Sequence, residues 1–325
     1  MPAWRRPWAG SVAGPLNRLT HGAHRRYRAP AGMRVPMEGG GCGSGCSVSS
    51  GAIGRTSPTS WWRSRGSWAS GASAPISRCP PRASRTRPRS RVRRAVADNG
   101  LEFLQVWGPY PSIVSPDEDV RGRGVEEARA VMRLAARMGV PAGGVRPTSR
   151  NPRGDWWPHP ENHAQATEDR LVRSLSEILE TATQVGVTVV LEKHHLSPLD
   201  SAERVKRVIE RTDPSRVRVN IDPANFVDGI RTAFEPGPMI DHLFDVLGEH
   251  CATTHVKDVY LEDRFVVHVS ETVPGTGILD LDRVLRRTAD LPDGWAIVEH
   301  LPVSQVALAK RHLTERAIAL GIDIR

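Results

Sequence analysis

Val187-Thr188-Val189-Val190-Leu191-Glu192 is a β-branched run that ends on an acid. Val217-Arg218-Val219-Asn220-Ile221-Asp222 repeats the pattern and also ends on an acid. Short apolar runs rich in branched residues, bounded by polar ones, predict buried strands. Between them Ser201 to Arg211 has apolar positions at helical spacing, with Asp200 placed as its N-cap. Strand, helix and strand at these lengths predict a βαβ unit, and so a parallel sheet.

The same alternation extends in both directions. Towards the N-terminus, Gly100 to Gly108 and Val140 to Pro147 read as strands. Val125 to Met138, closed by Gly139, and His163 to Val185, closed by Gly186, read as helices. Towards the C-terminus come helix Ile240 to Leu247, strand Ala252 to Val256, and helix Leu281 to Leu291 behind Asp280. Strand Ala296 to Val298 and helix Gln305 to Leu320 complete the chain. Six β/α units are expected from residue 96 to 325, a pattern that puts helices outside a parallel sheet. No strand is followed by a glycine-rich phosphate loop, which argues against a doubly wound dinucleotide fold.

Four successive strands carry a metal-capable side chain at or near the C-terminal end: Glu192, Asp222, His255 and Glu299. Taken singly, each has a plainer explanation. A carboxylate at a strand end also serves as a helix cap or ion-pair partner, and a lone histidine on an apolar strand also serves as a core residue. Taken together they point elsewhere. In a (β/α)8 barrel the strand ends converge on one face, where active sites are built. Three carboxylates and one imidazole, with no cysteine, form a donor set for Mn, Mg, Co or Zn as a single divalent cation.

These residues sit in motifs that resemble the sugar phosphate isomerase/epimerase family with the xylose isomerase-like TIM barrel. The motifs are Val190-Leu191-Glu192, Asn220-Ile221-Asp222-Pro223-Ala224-Asn225, Thr254-His255-Val256-Lys257-Asp258 and Ile297-Val298-Glu299-His300. Pro274-Gly275-Thr276-Gly277-Ile278-Leu279-Asp280 is similar to that family's Gly-x-Gly turn. The resemblance covers residues 97–325 and is specific to the superfamily rather than to a substrate. It implies that Glu192, Asp222, His255 and Glu299 hold one divalent cation. It also implies that Glu192 and Glu299 exchange a proton with a sugar-like substrate as base and acid. Lys257 and Asp258 are placed near the substrate by the same resemblance. Asn225 stands where the apurinic endonuclease relatives carry a further metal-binding histidine, which argues against a three-metal DNA repair site.

Further candidates for substrate contact come from position alone. Arg146 ends the second strand, Trp156 and Trp157 lie in the long 151–162 loop, and His194, two residues after Glu192, points to the same side if the strand continues. Each has an equally simple structural alternative, as a surface residue or a loop anchor. His268 lies in a loop, where a site residue and a solvated side chain are both open readings.

The overall formal charge of +9 conceals a division. Residues 1–95 hold 18 arginines, no lysine and one acid, Glu38, whereas the remaining 230 hold 27 basic and 35 acidic side chains. The mildly acidic remainder argues against nucleic-acid binding by the barrel itself. Stretches such as Trp61-Trp62-Arg63-Ser64-Arg65-Gly66-Ser67-Trp68 show no periodicity of either kind. Cys42 and Cys46 have no partners to complete a zinc site. Residues 1–95 are therefore expected to be low-complexity and disordered. A basic nucleic-acid-binding tail and a targeting segment are alternatives. An all-arginine segment of Trp, Pro, Gly and Ser is also what GC-rich DNA yields out of frame, and that explanation fits best. The family barrel needs eight β/α units, and the first two belong where this segment stands.

The expectation is an incomplete TIM barrel, 96–325, behind a basic segment, 1–95. Its expected function is metal-dependent isomerisation or epimerisation of a sugar, sugar phosphate, sugar acid or cyclitol through an enediolate. Dehydration of a keto-sugar or keto-inositol is the alternative within enzymes. No run is apolar enough to cross a membrane, so a cytoplasmic protein with a small-molecule partner is expected. A homo-oligomer is compatible with the sequence. If the frame explanation holds, another frame upstream of the Val96 codon encodes two further β/α units. The genomic sequence around that codon checks this, and the absence of such an alternative frame overturns it.

Overall fold

The computed structural model describes residues 88–324. Most of the segment 1–95, with Cys42 and Cys46, lies outside the described residues. The elements are α1 (Pro88–Asp98), β1 (Gln105–Val106), α2 (Glu118–Met138), β2 (Ala142–Val145), α3 (Gln165–Val185), β3 (Thr188–Glu192), α4 (Ala202–Glu210), β4 (Val217–Ile221), α5 (Ile230–Phe234) and α6 (Pro236–Leu247). They continue with β5 (Cys251–Val256), β6 (Asp258–Leu261), β7 (Val269–Thr272), α7 (Leu281–Ala289), β8 (Ala296–Val298) and α8 (Val303–Ala319).

Among the described residues, six strands form one parallel sheet in the order β1-β2-β3-β4-β5-β8. Neighbouring strands lie about 4.8 Å apart, so β1 and β4 in a flat sheet would be separated by roughly 14 Å. Yet Gln105 Nε2 on β1 donates to Asn220 Oδ1 on β4 at 2.8 Å and to Thr253 Oγ1 on β5 at 3.2 Å. The sheet must therefore curl towards its interior face, as a barrel wall does. The incomplete parallel barrel expected from the sequence is what these residues form.

The helices cover the outer face. α2 buries Val125, Ala128, Val131, Met132, Ala135 and Met138, and α3 buries Leu171, Leu175, Ile178 and Ala182. These are the apolar positions at helical spacing. Gly139 and Gly186 end the two helices with φ of 67° and 72°, a left-handed turn that favours glycine. Glu168 on α3 is buried against Arg204, Arg207 and Arg211 of α4 and its C-terminus. The Arg207 hydrogen bond, with help from Arg211, holds its carboxyl down at about 2. No helix among the described residues is long and apolar enough to cross a membrane.

Three local expectations need correction, and one pair of strands was not expected. A helix, α1, runs through the 95/96 boundary, where the sequence showed no periodic pattern. The strand expected over Gly100 to Gly108 pairs only at Gln105 and Val106, with β2 as its single neighbour among the described residues. The cap of α4 is Ser201, whose hydroxyl accepts from Arg204 N at 3.2 Å, while Asp200 instead meets the Arg204 guanidinium. Finally, β6 and β7 form an antiparallel hairpin outside the sheet, between β5 and α7.

Two glycines set the packing of β2. A Cβ on Gly144 would lie 2.1 Å from the Trp107 indole, and one on Gly143 would lie 2.5 Å from Met132 Sδ. Gly144 therefore faces the barrel interior and Gly143 the helices. Gly144→Val should destabilise the fold by about 1–3 kcal/mol through overpacking against buried Trp107. Gly122→Ala, in open space on α2, should instead stabilise it by about 0.5–1 kcal/mol. Thermal unfolding of both variants checks the contrast.

Candidate metal centre

β-strands alternate faces, so residues two apart share one. Asn220 faces the interior, and Asp222 follows it just beyond β4. Thr253 faces the interior, and His255 and Lys257 follow it along and just beyond β5. Glu192 is the last residue of β3, and Glu299 directly follows β8. Because every strand is parallel, these side chains emerge at one end of the sheet.

One ligand atom each from Glu192, Asp222, His255 and Glu299 lies within 4.8 Å of all the others. His255 Nδ1 stands 3.3 Å from Glu192 Oε1 and 3.2 Å from Glu299 Oε2. Proximity is not hydrogen bonding here, for His255 Nδ1 is buried without a hydrogen-bond partner, and Glu299 Oε2 has only the Lys257 ammonium as its partner. Buried polar groups are ordinarily satisfied, so an unpartnered imidazole nitrogen facing two carboxylates fits a shared cation. The donor set, three carboxylates and one imidazole, fits the same group.

Lys257 is the counterweight. Its Nζ lies 2.7 Å from Asp222 Oδ2, 2.8 Å from Glu299 Oε2 and 3.6 Å from Glu271 Oε1. Burial disfavours its charge, but Asp222, Glu299 and Glu192 outweigh that and hold its pKa well above the usual value. His255 behaves alike: burial opposes the proton, and Glu299 and Glu192 keep it on. For Glu299 burial pushes upward, and His255 and Lys257 pull it well below the usual range. Burial pushes Asp222 upward, against the pull of Lys257.

Of the other expected contacts, Asn225 joins the cluster. Its Nδ2 donates to Asp222 Oδ2 at 2.8 Å and to Glu192 Oε1 at 3.4 Å. Arg146 follows β2 and lies over the Tyr110 ring at 5.3 Å, with Nε 3.7 Å from Asp155 Oδ2. His194 is buried, and its ring lies 4.8 Å from that of Trp156. Burial pushes its pKa down to about 3. Trp157 goes elsewhere, under the Arg153 guanidinium at 3.3 Å. His268 is exposed on the hairpin and bonds the Val266 carbonyl. Asp258 is a correction. It is buried, and its carboxylate accepts from the amides of Val259, Gly275, Gly277 and Leu279 at 2.9–3.0 Å. Its oxygens organise the Gly-x-Gly turn and leave none for a substrate.

Two residues were missed. His300 has φ of 59°, in the left-handed region that few residues with a side chain adopt. Its Nδ1 lies 3.0 Å from Glu271 Oε1, and its Nε2 lies 3.6 Å from Glu299 Oε1. Glu271 lies on β7, in the hairpin that strand spacing did not announce, so no sequence signal pointed to it. Thr148, after β2, is also left-handed, with φ of 62°.

The profile of the xylose isomerase-like TIM barrel matches residues 74–318. The chain belongs to the xylose isomerase-like TIM barrel family. An inosose dehydratase from Geobacillus thermodenitrificans is 27% identical over 147 residues, covering 40% of this chain and 46% of that relative. The match thus spans just under half of the relative's length. Among solved structures, the apo 3-keto-D-glucoside 4-epimerase of E. coli superposes with a TM-score of 0.53 at 18% identity, covering 70% of this chain and 84% of that one. A xylose isomerase-like TIM barrel protein from Mycobacterium smegmatis, in complex with magnesium, gives 0.55 at 17% identity, covering 71% and 79%. At these identities the structural likeness concerns the fold.

In this xylose isomerase-like barrel Asp258 supports the turn beneath the mouth. Asp258→Ala strands four amides, of which those of Val259 and Leu279 are buried, and should cost about 3 kcal/mol. The amides of Gly275 and Gly277 should lose protection first, which hydrogen exchange measures residue by residue.

Proposed function

We propose that this chain is a divalent-metal-dependent isomerase or epimerase of a sugar-like substrate. The observation that carries the proposal is the convergence of Glu192, Asp222, His255 and Glu299, with ligand atoms within 4.8 Å of one another. These four residues would hold the cation, of the Mn, Mg, Co or Zn class. When bound, such a cation polarises a substrate carbonyl and stabilises negative charge on its oxygen.

The chain's own residues supply the proton traffic. Glu192 and Glu299 approach His255 from β3 and β8, on opposite sides of the cluster. Lys257 stays charged beside Glu299 and favours its carboxylate form, so Glu299 is ready to take the proton on carbon beside the carbonyl. Glu192 returns a proton from the other side. Glu192 enters as the carboxylic acid: its proton on the same carbon from the opposite face epimerises, and on the neighbouring carbon, with the hydroxyl proton passing to the former carbonyl oxygen, isomerises. Asn225 steadies Asp222 and Glu192 through its amide. Dehydration is a second reading, favoured by the match to the Geobacillus inosose dehydratase. There the same proton abstraction is followed by loss of a β-hydroxyl, which one carboxylic acid protonates so that it leaves as water.

Calorimetric titration of the full chain with Mn²⁺ should show one cation per chain. Glu192→Gln and Glu299→Gln should each weaken it at least about tenfold and abolish turnover on a panel of sugars and inososes. The pH dependence has a definite sign. The His255 proton, held well above its usual pKa, must leave before Nδ1 can ligate, so affinity should rise with pH and binding should release a proton. Titrations in buffers of different ionisation enthalpy count that proton. A folded chain that binds no divalent cation sinks the proposal.

A further inference from the structure

The mouth beside Glu192 has a second wall, and three of its buried polar atoms have no partner. His194 is only 6% exposed, and neither ring nitrogen makes a hydrogen bond. Arg146 Nε is likewise buried without a partner, since Asp155 Oδ2 at 3.7 Å is beyond hydrogen-bond reach. Orphaned donors of this kind call for an explanation.

Register places both residues at the mouth. Gly144 on β2 pairs with Val190 on β3, so two residues onward Arg146 comes level with Glu192. Gly144 faces the interior against Trp107, and Arg146 shares that face. His194 stands two residues past Glu192, one step further out. The loop after β2 then folds back and sets the Trp156 ring 4.8 Å from the His194 ring, with half of Trp156 exposed. An exposed indole face beside unpaired imidazole and guanidinium donors suits a polyhydroxy ring. The C–H face of the ring covers the indole, and hydroxyls, which donate and accept, meet the nitrogens.

Charge narrows the ligand further. Arg146 faces Asp155, so the wall offers no net cation. Two of the other bases nearby are paired with acids, Lys257 with Asp222, Glu299 and Glu271, and Arg150 with Glu161. Lys193 donates to the neutral Asn225 carbonyl over the Phe226 ring, and Arg153 lies over the Trp157 ring. A phosphate at this wall would meet the Asp155 carboxylate, whose guanidinium neighbour Arg146 is already paired with it.

We propose that Arg146, Asp155, Trp156 and His194 form a recognition wall for the uncharged polyhydroxy end of a sugar or cyclitol, and that the wall rejects phosphorylated substrates. The proposal rests on the reading of this mouth as a substrate site and selects among the substrates that reading allows.

The test is calorimetry on the full chain with Mn²⁺ present. The probes are D-glucose, D-fructose and myo-inositol, against D-glucose 6-phosphate and D-fructose 6-phosphate. At least one neutral sugar should bind about tenfold or more tighter than its phosphate. Asp155→Asn, which keeps the shape of the side chain, should shrink that ratio to about threefold or less. His194→Ala and Trp156→Ala should each weaken the neutral probe about tenfold while Mn²⁺ affinity stays within about twofold. Phosphates binding as well as or better than neutral sugars overturn the proposal. So does failure of every neutral probe to bind, or unchanged affinity in both alanine variants. If His194→Ala fails to fold, the Asp155→Asn ratio decides. The two proposals fail separately. Sugar binding that depends on His194 in a chain that takes no Mn²⁺ refutes the metal reading alone. Mn²⁺ binding with preference for phosphates refutes the wall alone.

Discussion

Gln105 reaches across the inside of the sheet to Asn220 and Thr253, and that reach fixes the curvature on which the mouth depends. Asn220 and Thr253 each lie two residues before a member of the cluster, Asp222 and His255. A polar layer that binds β1 to β4 and β5 therefore sits directly beneath the metal-capable layer. In a flatter sheet the ends of β3 and β8 would diverge, and Glu192 and Glu299 could not both lie within 3.3 Å of His255 Nδ1. Trp107 adds to this layer by donating from its indole to Gln105 Oε1 at 3.1 Å. The indole lies flat only because Gly144 has no side chain.

Above that layer the dominant problem is electrostatic. Asp222, His255 and Lys257 are all nearly fully buried, and burial alone penalises every one of their charges. Their mutual placement offsets the penalty, with the Lys257 ammonium between Asp222 and Glu299. Such a cluster is weak evidence of stability and better evidence of function, since apolar residues would fill the space more cheaply. Two side-chain-bearing residues in left-handed backbone, Thr148 and His300, stand after β2 and β8 on the same end of the sheet. Strain of this kind persists where the surroundings over-determine it, and functional mouths are where it gathers.

Much of this was legible in the sequence, for a physical reason. A parallel strand buried on both faces reads as a branched apolar run, and an acid that ends such a run is conspicuous. Glu192, Asp222 and Glu299 all carried that signature, and β4 and β8 were bounded to the residue. What escaped depends on contacts that no periodicity records. Glu271 enters from an antiparallel hairpin between β5 and α7, and only the fold brings it to Lys257 and His300. Asp258 was placed near the substrate, with Lys257, by the family resemblance. Alternation sends its side chain the other way, to the amides of the 275–279 turn. Trp156 and Trp157 were indistinguishable as neighbours, yet only Trp156 meets His194.

The four cluster residues are not held equally. His255 stands on β5 and Asp222 directly follows β4, strands that are each flanked by a strand on both sides. Glu299 follows β8, three residues long, whose single partner among the described residues is β5. Its side chain is correspondingly more exposed than that of Asp222, 23% against 1%. Its position therefore leans on Lys257 and on the turn at His300, which Glu271 holds from the hairpin. The hairpin thus does for Glu299 what a neighbouring strand does for Asp222. Motion of β6 and β7 would be felt first at the carboxylate assigned here to take the substrate proton.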